Sequence, residues 1–266
     1  MSLEITESSL VSNESGTNKE TVQSLVKGLA VIKAFNKQRP MMTLSEVAQQ
    51  TGFSRAATRR FLLTLVVEGY AKQEGKSFSL TAKVLDLGFA YLSTQDIWQH
   101  GKFLMQQLVE QLNESCSAAV LEGNDVIYVA RVATTKRIMS ISLNVGTRLP
   151  AFATSLGRVL LADKDETALE SFLNQGELSQ FTEYTITDKA QLIAEIEQVK
   201  QQGYSIVEQE LELGLTSISV PVYNSAGSII GALSISSHAS QTSKAHLLTI
   251  ILPALQSCAK EISLAQ

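Results

Sequence analysis

Three arginines, Arg55, Arg59 and Arg60, follow Ser54 within six residues, and the side chains between them are small: Ala56, Ala57 and Thr58. Guanidinium groups pair with phosphate oxygens or with the two acceptors on a guanine edge, and small neighbours let a helix approach a duplex closely enough to use them. For that chemistry the residues must lie on one helix that stands clear of its own domain. The stretch 43–63, TLSEVAQQTGFSRAATRRFLL, provides for both. Thr43 and Glu46 make a T-x-x-E capping box that starts a helix at Leu44, with Leu44, Val47 and Ala48 as its apolar stripe. Thr51-Gly52-Phe53 supplies the corner, where Gly52 can take the positive φ a short turn between helices requires. Ser54 then caps a second helix. On it Ala57, Thr58, Phe61, Leu62 and Leu65 recur at the helical period on one side, Ala56, Arg59 and Arg60 face the other way, and Arg55 lies at the edge. The expected contacts to double-stranded DNA are Ser54, Arg55, Ala56, Thr58, Arg59 and Arg60.

The flanks agree. Residues 22–36 predict a preceding amphipathic helix with Leu25, Leu29, Ile32 and Phe35 inward. Residues 69–73 and 77–80 predict two short strands around Glu74-Gly75-Lys76, a wing that places Lys76 for a phosphate. Residues 21–95 hold ten Lys/Arg against four Asp/Glu, residues 1–20 one against four, and residues 96–266 eleven against eighteen. A basic head at +6 on an acidic body at −7 fits a nucleic-acid domain joined to one with another task.

At 266 residues with 44% hydrophobic content, two ordinary cores are expected. Residues 1–20, rich in Ser, Glu, Asn and Thr, are expected to be a disordered tail and lack the pattern of a signal peptide. No apolar run of membrane-spanning length stands out, so no membrane partner is expected. Cys116 and Cys258 are too few for a disulfide framework, which points to a reducing cytoplasm, and both are expected to pack as small apolar groups. The winged helix-turn-helix domain is placed at 21–80, a connector helix at 81–95 and the second domain at 96–266. Val84, Leu85, Leu87, Phe89 and Leu92 make the connector too hydrophobic to stand alone in water, so it packs on its own domain or pairs with a second copy.

The second domain opens with a helix over 95–112, with Phe103, Leu104, Leu108 and Leu112 inward. Strands are expected at 117–121, 126–132, 137–143, 204–210, 217–223 and 228–236, and helices at 154–162, 187–202 and 242–263, the last kinked at Pro253. The fold class is α+β: a winged helix-turn-helix followed by an antiparallel sheet covered by helices, of the kind that encloses small molecules.

Within that domain, hydroxyls and one cation could converge on an apolar hollow. Thr154-Ser155-Leu156-Gly157 opens a helix and offers two hydroxyls and backbone N–H groups to a carboxylate. Ser217, Ser234 and Ser236 stand on neighbouring strands, the last two on one face because the side-chain period is two. Arg137, Met139 and Ile141 share a face of their strand, where Met139 and Ile141 could hold an aromatic ring and Arg137 could grip a carboxylate bidentately. No catalytic pattern competes: there is no G-x-S-x-G, P-loop, Cys-x-x-Cys or dinucleotide glycine motif. His100, His238 and His246 are scattered, so neither a metal nor a cofactor is expected.

The segments VQSLVKGLAVIKAF, LSEVAQQTGFSRAATRRFLLTLVVEGY, GTRLPAFATSLGRVLLA and LGLTSISVPVYNSAGSIIGALSIS occur in that order over residues 21–263. In this the chain resembles the IclR family of bacterial transcription regulators. The stretch TTKRIMSISLNVGTRLPAFATSLGRVLLA is more narrowly similar to the branch that controls protocatechuate and 4-hydroxybenzoate breakdown. The resemblance implies a GAF-like sensor, homodimers or dimers of dimers on pseudo-palindromic promoter sites, and an aromatic-acid effector. Activation is frequent in this branch and would engage RNA polymerase. The effector contacts it implies are Ile141, Ser155, Leu156, Ser217, Ser234 and Ser236. Where family sensors often carry an acidic residue on the strand near Tyr204, this chain has Val207, which removes a polar contact there. The alternatives are a repressor responding to a non-aromatic acid, or a regulator acting mainly through protein partners.

Overall fold

A computed structural model describes residues 21–94, 96–134 and 143–265, and they divide into two compact units between Tyr91 and Leu92.

The N-terminal unit runs α1 (Gln23–Lys33), β1 (Met42–Thr43), α2 (Leu44–Thr51), α3 (Arg55–Val67), β2 (Ala71–Glu74), β3 (Ser77–Leu80), a 3-10 turn at Ala82–Val84 and α4 (Leu85–Leu92). The capping box forms: Thr43 Oγ1 accepts from the Glu46 N–H, and Glu46 Oε2 accepts the Thr43 N–H at 2.6 Å. Those Thr43 bonds hold the Glu46 carboxyl below its usual range. Gly52 takes φ +69° at the corner, and the Ser54 side chain accepts from the Ala57 N–H. β1, absent from the sequence expectation, pairs with β3 and makes the wing a three-stranded sheet in the order β1-β3-β2. Val31, Met42, Val47, Leu62, Leu65 and Phe78 build the core. The expected inward stripe of α1 is therefore corrected: Leu25 and Leu29 are exposed, and Val31 is the helix's buried residue. Leu85, Leu87, Phe89 and Tyr91 of α4 are likewise exposed, so this helix does not bury its apolar surface on its own domain.

The C-terminal unit runs α5 (Asp96–Leu112), β4 (Ser115–Glu122), β5 (Asp125–Val132), β6 (Arg148–Pro150), a 3-10 turn at Ala151–Ala153, α6 (Ser155–Leu161), α7 (Glu166–Gln175), α8 (Lys189–Gln202), β7 (Ser205–Glu208), β8 (Leu215–Tyr223), β9 (Ile229–His238), α9 (Lys244–His246), a π-helical turn at Leu247–Ile251 and α10 (Leu252–Leu264). The six strands form one antiparallel sheet in the order β6-β5-β4-β9-β8-β7. One face packs on α5, the π-helical turn and α10 through Met105, Leu108, Leu247, Leu255 and Ile262 against Cys116, Ile218, Leu233 and Ile235. Both cysteines are buried here, and burial pushes the Cys258 thiol up to about 12 and Cys116 well above its ordinary value. The other face packs on α6, and α8 packs on α6 in turn, in one core with Leu156, Val159, Leu160, Leu192 and Ile196.

Several expectations need correction. Phe103 is exposed on α5, and Met105, with Trp98 from the helix's first turn, takes the core position instead. Trp98 fits only because Gly231 has no side chain: a Cβ there would lie 2.6 Å from the indole. The short strand β6 had no clear sequence signal, and the helix α7 is absent from the sequence expectation although Asp165 caps it and Leu169, Phe172 and Leu173 make its buried stripe. The strand expected at 137–143 lies outside the described residues except for Leu143, which is buried and not in a strand. Pro253 is accommodated by the π turn that precedes it rather than by a simple kink. The Lys244–Leu264 stretch is, by length and composition alone, apolar enough to cross a membrane, contrary to the reading that no such run exists. Its Leu247, Ile251, Leu255, Cys258 and Ile262 instead make one stripe that covers the sheet.

Candidate functional site

On α3 the exposed face carries Ser54, Arg55, Ala56, Arg59 and Arg60, and among the described residues none of the three guanidinium groups is held in an ion pair. Thr58 is corrected as a DNA contact. It is fully buried, and its Oγ1 donates to the Ser54 carbonyl at 3.0 Å, because it lies on the helix side of Leu62 and Leu65. Glu74 pairs with Ser77, so the wing turn is only Gly75 and Lys76; Gly75 takes φ +61° and Lys76 is exposed at the tip.

In the C-terminal unit, α6 lies over the concave side of the sheet and a hollow opens beneath its start. It is lined by Thr154, Ser155 and Leu156 from the helix entry and Ser217, Ser234 and Ser236 from β8 and β9. Tyr128, Leu149, Leu211 and Leu215 supply apolar walls, with Val207 and Glu210 on the β7 side. Six of the sequence-derived residues are thus brought together. The hollow, open solvent at its mouth included, spans about 380 Å³, but between these side chains it is only about as wide as a water molecule. A ring can enter only if the walls part. Ser155 Oγ donates to Ser217 Oγ at 2.9 Å and lies 2.7 Å from Ser219 Oγ, while Ser234 Oγ reaches the Ser117 carbonyl at 3.5 Å. Burial pushes the Tyr128 phenol up to about 12, so it keeps its proton as a donor at neutral pH.

Gly157 is corrected as a lining residue. Its N–H donates to Thr154 Oγ1 at 3.1 Å, and a Cβ there would fall 2.0 Å from the Ala151 carbonyl oxygen, so it seats α6 on the preceding turn. Arg137, Met139 and Ile141 lie outside the described residues. Sequence reasoning missed Glu210, Arg158 and Ser219. Glu210 is buried at the rim, accepting Arg158 Nη2 at 2.6 Å and the Ile186 N–H at 3.1 Å. Arg158 also donates through Nε to the Phe152 carbonyl at 3.0 Å, tying α6 to the turn before it. Ser219 could have been found from Ser217 by the period of two; the Arg158–Glu210 pair has no local signal.

With this geometry in place, comparison with known proteins decides the family. The model of the IclR helix-turn-helix domain matches residues 24–75, and that of the bacterial transcriptional regulator IclR C-terminal domain matches residues 89–264. The chain belongs to the IclR family. It is 41% identical over 239 residues to the Pca regulon regulatory protein of Pseudomonas putida, covering 90% of this chain and 82% of that protein. It is 34% identical over 255 residues to the p-hydroxybenzoate hydroxylase transcriptional activator of Acinetobacter baylyi, covering 94% of each. A solved transcriptional regulator from Rhodococcus sp. RHA1 superposes with a TM-score of 0.80 at 40% identity, over 92% of this chain and 98% of that one. This IclR-family chain is therefore a DNA-binding transcriptional regulator with a small-molecule sensor domain, and not an enzyme.

Proposed function

We propose that this regulator controls an aromatic-acid catabolic operon, as an activator responding to 4-hydroxybenzoate or protocatechuate. The observation that carries the reading is the convergence of Ser155, Ser217, Ser234 and Ser236 hydroxyls with the apolar side chains Leu149, Leu156 and Leu215 in one hollow. Hydroxyls there can receive a phenol or carboxylate while the apolar walls take the ring. The names of the two curated relatives, a Pca regulon regulator and a p-hydroxybenzoate activator, support the same class. Arg137, Met139 and Ile141 belong to the same proposal, as do a cytoplasmic location and contact with RNA polymerase.

On the DNA side, two copies set their α3 helices into successive major grooves of a pseudo-palindrome. Arg59 and Arg60 read bases or phosphates, and Arg55 and Lys76 hold the backbone. The exposed Leu85, Leu87 and Phe89 of α4 support a homodimer or a dimer of dimers, because that surface needs a partner. The narrowness of the hollow favours one second reading, a short aliphatic acid as effector.

A thermal-shift screen of the purified protein against hydroxybenzoates and short aliphatic acids tests the choice. A ligand at a hundred times its dissociation constant adds about 2.7 kcal/mol to stability. A rise with one hydroxybenzoate and not with its ring isomers supports the aromatic reading; a rise only with an aliphatic acid replaces it.

A further inference from the structure

The sheet face beneath α6 carries a polar row that the family resemblance did not supply. Ser117 on β4 pairs with Arg131 on β5 and with Ser234 on β9; Ser234 pairs with Ser219 on β8, and Ser219 with Ser205 on β7. One cation therefore stands at the end of four serines, all in register. Strict alternation along β5 would put Arg131 and Tyr128 on opposite faces. The register slips between Ala118 and Ala119, so that Ala118 pairs with Ala130 but Ala119 with Tyr128, and Val129 is the extra residue. This bulge brings Tyr128, which lines the hollow, and Arg131 onto the same face.

The Arg131 guanidinium is half-buried, and Nη1 donates to Ser117 Oγ at 2.8 Å. Among the described residues no carboxylate pairs with it. Desolvation is the main influence on the group and disfavours its charge. A half-buried guanidinium that, among the described residues, places one donor on Ser117 and meets no carboxylate is poised for an anion. Ser117 is one strand from Ser234, roughly 5 Å in the pairing direction, which is within the swing of an arginine side chain. On the opposite side, past β7, the Glu210 carboxylate lines the rim and is already held by Arg158. The hollow thus has a cation toward β5 that no carboxylate among the described residues pairs with, and toward β7 a carboxylate that Arg158 already neutralises.

We propose that Arg131 is the carboxylate anchor of the effector site, and that an acid binds with its carboxylate toward β5 and its other polar end toward Glu210. This rests on the reading that an organic acid occupies the hollow. It assigns the charge recognition to a residue nothing else singles out, in place of Arg137.

The test is calorimetric titration of the full chain with 4-hydroxybenzoate, its neutral analogue 4-hydroxybenzamide, and pyruvate as a short aliphatic acid. Wild-type protein, Arg131→Gln, Arg131→Lys and Arg137→Gln are compared. Losing a charge-assisted pair weakens binding roughly ten- to a hundredfold. The expected result is that Arg131→Gln shows this loss for the acid while the amide changes little, and that Arg131→Lys keeps part of the acid affinity. Equal losses for acid and amide would mean that Arg131 only supports the sheet, and the anchor falls. It falls equally if Arg137→Gln shows the acid-selective loss or if the wild type takes the amide as readily as the acid; both leave an aromatic effector standing. Arg131-dependent binding of pyruvate alone would keep the anchor and sink the aromatic reading. No binding of any acid sinks both.

Discussion

Arg158 and Glu210 carry the largest local electrostatic stake in the sensor domain. Their side chains are 2% and 7% exposed and meet at 2.6 Å. Two charges taken out of water gain little over an apolar pair, but one stranded without its partner is costly. Glu210→Ala should destabilise the C-terminal unit by about 3 kcal/mol, the low end for a buried pair, because Glu195 lies 4.0 Å from Arg158 and can partly replace it. The double substitution Arg158→Met with Glu210→Met should recover most of that loss. Urea unfolding monitored through Trp98, the chain's one tryptophan and a core residue of this unit, measures both. A double variant as unstable as the single would show that lost packing, not a stranded charge, sets the cost. At this scale the sequence was legible where chemistry is local. Ser234 and Ser236 share a face by simple alternation, and Ser54 announces its cap. Glu210 meets Arg158 across 52 residues of chain, and Arg131 reaches its face through a bulge, so both depend on pairings that no local pattern encodes.

Elements hold the site through a few backbone contacts, and the seat of α6 is the tightest. All seven residues of this helix are buried, and at Gly157 it crosses the Ala151–Ala153 turn with no room for a methyl group. Gly157→Ala must push helix and turn apart, dragging Ser155 from its bonds to Ser217 and Ser219. Overpacking against a rigid neighbour commonly costs about 1–3 kcal/mol, and a backbone oxygen that cannot step aside puts this case at about 3 kcal/mol or more. Gly203 gives the comparison: it takes φ +77° after α8 with nothing within 4 Å, so Gly203→Ala should cost only the strain of a left-handed residue, about 1–2 kcal/mol. Thermal unfolding ranks the two, and Gly157→Ala should also weaken effector binding. A Gly157→Ala protein as stable as Gly203→Ala would mean that the turn yields, and α6 would then not be a fixed wall. Elements with strong caps were readable in advance: α2 from its capping box and α8 from Gly203. β1 and β6 were not, because strands of two and three residues exist only through their partners. The exposed Leu25 and Leu29 show the converse limit, since an apolar period states that a stripe exists and not whether this chain covers it.

At the scale of the whole molecule, a basic DNA-reading unit and an acidic sensing unit are separate compact bodies, each with its own core. A regulator built this way signals only if effector and DNA bias the same equilibrium, and that coupling is a free energy with no direction of its own. Whatever factor the effector applies to operator affinity, the operator must apply to effector affinity. Couplings of this kind are about 1–3 kcal/mol, or roughly 5- to 150-fold. The effector dissociation constant should therefore move by the same factor when a saturating operator duplex is present as the operator constant moves when effector is present. Two titrations on one preparation measure this, at a single salt concentration because the phosphate contacts make DNA affinity strongly salt-dependent. Equal and substantial factors place the switch at DNA binding. Factors near one in both directions, with transcription still responding to the acid, would place it after DNA is bound, where an effector-stabilised conformation alters what the bound protein offers to RNA polymerase. An activator can work by either route, and the two titrations separate them without any knowledge of the path between the units.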